Sequence, residues 1–304
     1  MKVRVFSYVL IVLMVLFEIG CGGSSGGDSD PNELELTMVS VPGGTFQRQA
    51  TPGNNDTVGA FKISKYEITR AQFQAVMGVD PSDEDYSTGT TDPVQRANWY
   101  HAIAFCNKKS IEEGLTPVYS VTVSGTPINW ISLTYDEIPT ASNDDWNHVT
   151  ANWSANGYRL PTEMEWMWAA MGAPADGQNG GTNTTGYKKV YAGSTEGTAS
   201  TRIEDYAWCF ENTWYTTMPV GRKLPNELGL HDMTGNVQEW CWDWYADYPP
   251  GAHPVNYRGP DSGTMRVLHG SSWYYYSYMY DIADRHNADP GVPSDHYGFR
   301  VARN

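Results

Sequence analysis

Four cysteines carry the most reactive side chains of this sequence: Cys21, Cys106, Cys209 and Cys241. No two stand in a C-x-x-C pair, which argues against a zinc site, and the three beyond Cys21 are an odd number that suits no disulfide framework. Free cysteine is among the most buried residue types, so single buried thiols are expected at Cys106, Cys209 and Cys241. Cys21 is different. A basic start at Lys2 and Arg4, an apolar run from Val5 to Phe17 and the following Gly22-Gly23-Ser24-Ser25-Gly26-Gly27 place it where a lipoprotein signal peptidase leaves an acylated N-terminus. Glu18 departs from the apolar residue usual in that motif. The apolar run is too short to span a bilayer comfortably. Residues 1–20 are therefore expected to be a signal peptide, Cys21 the lipidation site, and residues 21–33 a flexible tether. The product expected from this layout is an exported, membrane-anchored lipoprotein of the outer membrane or cell surface.

A second group of residues suits recognition rather than reaction. Between Trp273 and Gly298 the chain reads YYYSYMYDIADRHNADPGVPSDHY, dense in Tyr, Asp, His, Ser and Asn and without Lys, Glu, Gln or Trp. Tyr offers a large amphipathic ring with few rotatable bonds, and Ser, Asn and Asp offer adaptable hydrogen bonds, the mixture used by antibody loops. So many hydroxyls and carboxylates would each need a partner if buried. The expected contact residues are Tyr274, Tyr275, Tyr276, Tyr278, Tyr280, Asp281, His286, Asn287, Ala288, Asp289, Ser294, Asp295 and His296, with Trp273 as a core anchor.

The elements that must position these residues are short. Thr69 with Gln72 makes a capping box ahead of Phe73, Val76 and Met77, and Gly78 ends the run. Trp99, Ala102, Ile103 and Cys106 form a second helical stripe, ending near Gly114. Thr162 with Glu165 opens a third helix, with Trp166, Ala169 and Ala170 inward. Elsewhere short Val, Ile, Tyr and Phe runs alternate with Gly, Pro, Asn and Asp clusters, so the expectation is one irregular, loop-rich α+β domain over residues 34–304 held by aromatic contacts. A formal charge of −15 and a pI near 4.7 exclude nucleic acid and anionic headgroups as natural partners, because a phosphate backbone is repelled over most of the surface.

Several ordered stretches resemble the sulfatase-modifying-factor family: Val41-Pro42-Gly43-Gly44-Thr45-Phe46, Gly157-Tyr158-Arg159-Leu160-Pro161-Thr162-Glu163, the run from Pro225 to Trp240, and Gly298-Phe299-Arg300-Val301. The resemblance implies a formylglycine-generating-enzyme fold whose C-terminal part is similar to C-type lectins. Enzymes of that family hold copper with two cysteines in C-x-x-x-x-C spacing, because soft thiolate selects Cu(I). The matching positions here are Tyr275 and Tyr280, and phenols do not replace thiolates. Neither copper nor iron is expected, and a non-enzymatic protein is. The family also implies a structural Ca²⁺ site at Asp232 and Glu239 through carboxylates and at Gly235 and Val237 through backbone carbonyls, hard oxygen donors that suit this ion. Within this family the Tyr-rich segment resembles the variable region of proteins diversified by a retroelement that scrambles template adenines. An Asn codon ending in C or T then yields Tyr, Ser, Asp and His but never Lys, Glu, Gln, Trp or Met, and Met279 is the departure. The implied partner is a protein or small-molecule ligand at the cell surface, with the lipid anchor as the only membrane contact. Two alternatives are an enzyme with altered metal chemistry in the same cleft and a structural envelope lipoprotein.

Overall fold

A computed structural model of the chain describes residues 34–175, 181–194 and 202–304. The signal, Cys21 and the tether lie outside the described residues. The fold is organised by the strand Gln238–Trp244, whose residues are almost all buried. It pairs antiparallel with Arg266–His269, with an irregularity between Arg266 and Leu268, and parallel with Tyr297–Gly298. The short strand His286–Ala288 closes the far edge against Arg266–Leu268. A second, three-stranded sheet joins Met38–Val41, Phe61–Ser64 and Ala302–Arg303, bringing the end of the chain back beside its first strands.

Side chains alternate across a strand, and here the two faces enter different cores. Trp240 and Leu268 join a cluster with the helix Trp99–Glu112 and with Phe73, Phe299 and Val301. Cys241 and Val267 turn the other way, to the helix Glu163–Ala170, Phe46 and Phe61. Indole N–H groups stitch the layers together: Trp99 Nε1 donates to the Cys241 carbonyl at 2.8 Å, Trp240 Nε1 to Ala97 at 3.0 Å, and Trp166 Nε1 to Glu239 Oε2 at 2.6 Å. Each such ring buries about 150–250 Å², or roughly 4–6 kcal/mol at ~25 cal/mol/Å².

Both capping boxes form, at Thr69/Gln72 and Thr162/Glu165, and Gly78 ends the first helix in the left-handed conformation that glycine adopts without a Cβ clash. The second helix stops at Glu112, two residues before Gly114, and begins with a capping box that the apolar stripe did not reveal, Asn98 with His101. The third helix is buried around its whole circumference, so Trp166, Ala169 and Ala170 are inward together with the rest of it. Cys106, Cys209 and Cys241 are free and buried, as expected. Among the described residues no helix is long and apolar enough to cross a membrane.

Candidate ligand-recognition site

The Tyr-rich segment leaves the strand Arg266–His269 through two residues at positive φ, Gly270 (96°) and Ser271 (60°). Backbone bonds hold the exit: Gly235 N–H donates to the Gly270 carbonyl at 2.7 Å and Trp273 N–H to the Asn236 carbonyl at 2.9 Å. Trp273 is the anchor foreseen, buried to 2% exposure, with its indole N–H on the Asp295 carbonyl at 3.1 Å. Its ring stacks on Tyr86 and packs edge-on against Tyr274.

From there the chain zigzags, and the expected contact residues divide. Tyr274, Tyr276 and Tyr278 are exposed at 52%, 41% and 80%, and Asp281 and Asn287 are also exposed. Tyr275 is half-buried against His286. Tyr280 departs from the expectation. It is buried to 4%, in a small core with Tyr191, Ile203, Ala207 and Cys209. Its phenol lies 2.8 Å from the Ser272 carbonyl and 3.3 Å from those of Trp208 and Tyr275, so its hydroxyl is satisfied and the side chain pins the loop instead of meeting solvent. Ala288 is half-buried and packs against the larger core. Asp289 accepts the Gly291 N–H at 2.8 Å, Ser294 Oγ approaches Asp295 Oδ1 at 3.3 Å, and His296 sits against the rings of Trp273 and Tyr274. The half-buried run Ser294–His296 thus buttresses one flank of the face.

A second arm, invisible to the sequence pattern, meets this segment. Phe210 N–H donates to the Tyr275 carbonyl at 3.0 Å, the Glu211 carboxylate accepts from the backbone N–H and the hydroxyl of Ser277, and the Phe210 ring lies 4.4 Å from that of Tyr276. Just beyond, Trp214 and Tyr215 have φ of 53° and 66°, a conformation that costs L-residues roughly 1–2 kcal/mol each. Both are exposed, Trp214 to 90% and Tyr215 to 57%. Thr216 Oγ1 on the Thr213 carbonyl and Thr217 N–H on the Tyr86 carbonyl, both at 2.9 Å, hold the strained turn. The available sequence signal was the pair Trp214-Tyr215 flanked by polar Thr213 and Thr216, too short to carry a periodicity.

Beneath both arms lies a buried polar hub. Asn236, at φ 59°, donates to Glu67 Oε2 at 2.8 Å and to the Met218 carbonyl, and accepts from Met218 N–H. Glu239 receives Arg300 through two 2.6 Å contacts, and with Trp166 both of its oxygens are engaged. Asp232 accepts the Gly221 N–H through Oδ2 at 2.6 Å, while its buried Oδ1 has no partner. Burial pushes Asp232 up to about 6, with Glu239 adding to the rise and the Gly221 amide and Arg300 opposing it. Burial, together with the charges of Asp232 and Glu239, raises Glu67 well above its ordinary value. Three buried carboxylates therefore share one guanidinium, and of the two carboxylates expected to hold calcium, Glu239 has both oxygens engaged by Arg300 and Trp166 while Asp232 Oδ1 alone is left without a partner. Among the described residues no group of three His, Cys, Asp or Glu side chains is placed to hold a metal. A copper dithiolate does not fit either. Tyr275 and Tyr280 share their small core with one thiol, Cys209, which burial and Glu211 push up to about 12.

Residues 27–304 match the sulfatase-modifying factor enzyme 1-like domain. Treponema denticola variable protein 1 superposes with a TM-score of 0.80 at 36% identity, covering 90% of this chain and 97% of that one. The chaperone protein LppX of Paenibacillus barcinonensis is 34% identical over 301 residues, 96% of this chain and 98% of the relative. The formylglycine-generating enzyme of Thermomonospora curvata is 29% identical over 306 residues, 90% of this chain and 95% of its own.

Proposed function

This chain belongs to the sulfatase-modifying factor enzyme 1-like family, and from that premise we propose that it uses the family scaffold for binding and not for catalysis. The face of Tyr274, Tyr276 and Tyr278 is the recognition surface, diversified by retroelement copying and displayed from a lipid anchor at Cys21. The observation that carries this reading is the sorting of side chains along one segment. Tyr280, Ile282 and Trp273 are buried at 2–4% exposure, whereas Tyr274, Tyr276, Tyr278, Asp281, Asp284 and Asn287 between and beyond them are exposed. Exposed substitutions usually change stability by no more than about 0.5 kcal/mol, so such a surface can be rewritten without refolding the protein.

The likeness to Treponema denticola variable protein 1 supports the reading, as does the poor fit of the residues around Tyr275 and Tyr280 to thiolate chemistry. Its test is a library in which the six exposed codons are randomised to NNY. Most clones are expected to stay protease-resistant, and binders to unrelated proteins to be selectable from them. A library in which most clones are unfolded would reject the proposal. Membrane fractionation checks the anchor separately: a Cys21→Ala chain is expected in the soluble fraction, since single or dual acyl chains supply the membrane affinity at about 0.8 kcal/mol per buried CH₂.

A further inference from the structure

Resting on that recognition surface, we infer that it has a second, separately encoded arm, the strained turn Trp214-Tyr215, and that the two arms together grip an arginine- or lysine-bearing segment of a protein partner. The first observation is geometric. Tyr215 packs edge-on against Phe210 at 4.8 Å, Phe210 against Tyr276 at 4.4 Å, and Tyr276 stacks on Tyr278 at 5.6 Å. The rings of the two arms are thus one continuous aromatic band that crosses between segments more than 60 residues apart. Trp214 stands beside it, more exposed than any other large apolar side chain described. A turn that keeps an indole in water through left-handed backbone is stabilised elsewhere, and such strain gathers at binding sites.

Charge decides the partner. The three segments that build this side of the molecule, residues 83–86, 210–216 and 274–284, hold Asp83, Glu84, Asp85, Glu211, Asp281 and Asp284 and not one Lys or Arg. Of the cations nearest in sequence, Arg96 lies 2.7 Å from Asp83, Arg285 makes a two-point pair with Glu163 and Lys223 lies over the Trp208 ring, while Arg222, beyond Thr216, is exposed. Aromatic faces rimmed by carboxylates attract guanidinium and ammonium groups by cation–π contact and by ion pairing together. An acidic or neutral partner would gain neither.

Calorimetric titration of the purified chain with the dodecapeptides (Arg-Gly)₆, (Glu-Gly)₆ and (Ser-Gly)₆ tests this. Only the arginine peptide is expected to bind, and Trp214→Ala is expected to weaken it at least tenfold while Trp214→Phe retains most of the affinity. Trp214→Ala leaves the net charge unchanged, so generic attraction to an acidic chain cannot produce that loss, and an unaltered melting curve excludes misfolding. Binding of the arginine peptide that is equal in Trp214→Ala, or no stronger than that of the serine peptide, overturns the inference. If Tyr276→Ala weakens binding and Trp214→Ala does not, the second arm fails and the recognition surface stands.

Discussion

Two aromatic regions of this protein have similar composition and opposite fates. Around the helix Trp99–Glu112, Arg266 is clamped between Trp244 and Trp99, its guanidinium 3.4 Å and 3.8 Å from the ring centroids, and every ring is buried or half-buried. Around Ser277, equally large rings touch one another yet face solvent. The difference lies in what backs them. The interior rings have a sheet on one side and a helix on the other, and their N–H groups find carbonyls. The outer rings stand on a loop pinned at two points, Trp273 and Tyr280, with nothing covering them. Aromatic content therefore marks packing in one place and recognition in the other, and only the position of the pins separates them.

The sharpest way to break the comparison is at a pin. Tyr280→Ala removes a large buried side chain from the small core it shares with Cys209, and a loss of about 3–5 kcal/mol is expected, visible as a lower denaturant midpoint. A loss below 1 kcal/mol would mean that the loop has no pin there.

A middle-sized effect is expected at the hub beneath both arms. A carboxyl whose pKa is higher in the fold than in the unfolded chain contributes stability that is present below the unfolded value, 3.8 for Asp232, and is lost as pH rises through about 6. Glu67 is shifted in the same sense. In chelator, the domain is thus expected to lose roughly 3 kcal/mol or less between pH 4 and pH 7 on account of Asp232, at ~1.4 kcal/mol per unit. The Asp232→Asn chain is expected to lack that component. If the loop binds Ca²⁺, adding the ion flattens the wild-type profile, because a cation held only by the fold stabilises by mass action. Superimposable melting curves with and without Ca²⁺ would leave the loop a turn.

The smallest effects belong to the outer rings. Tyr274→Ala, Tyr276→Ala and Tyr278→Ala are each expected within about 0.5 kcal/mol of the parent in the same unfolding series. Costs of several kcal/mol would return the face to the core.

Much of this was legible in the order of the residues. The capping boxes at Thr69 and Thr162 declare themselves because both partners lie within four residues, and the family motifs implied the fold over residues 34–304. Two things were not. Tyr280 reads like its neighbours, since five tyrosines in seven residues carry no periodic signal that says which one points inward; that depends on Cys209 and Ile203, about 70 residues away. The Glu67–Asn236 bond, between residues 169 apart, and the docking of Phe210 on Tyr276 likewise join distant segments, which local propensity does not encode.

The buried Tyr280 sets a limit on the yield of any mutagenic copying that passes over this stretch. A process that rewrites adenines blindly would strike its codon as readily as that of Tyr278, and each such hit would be a molecule that folds poorly and displays nothing. Repertoire size then depends less on how many codons can change than on how many are shielded. Under the adenine-directed copying proposed above, the tryptophan codon at 273 holds no adenine and escapes, whereas any tyrosine or isoleucine codon keeps at least one, so positions 280 and 282 would stay open to loss in every round of copying.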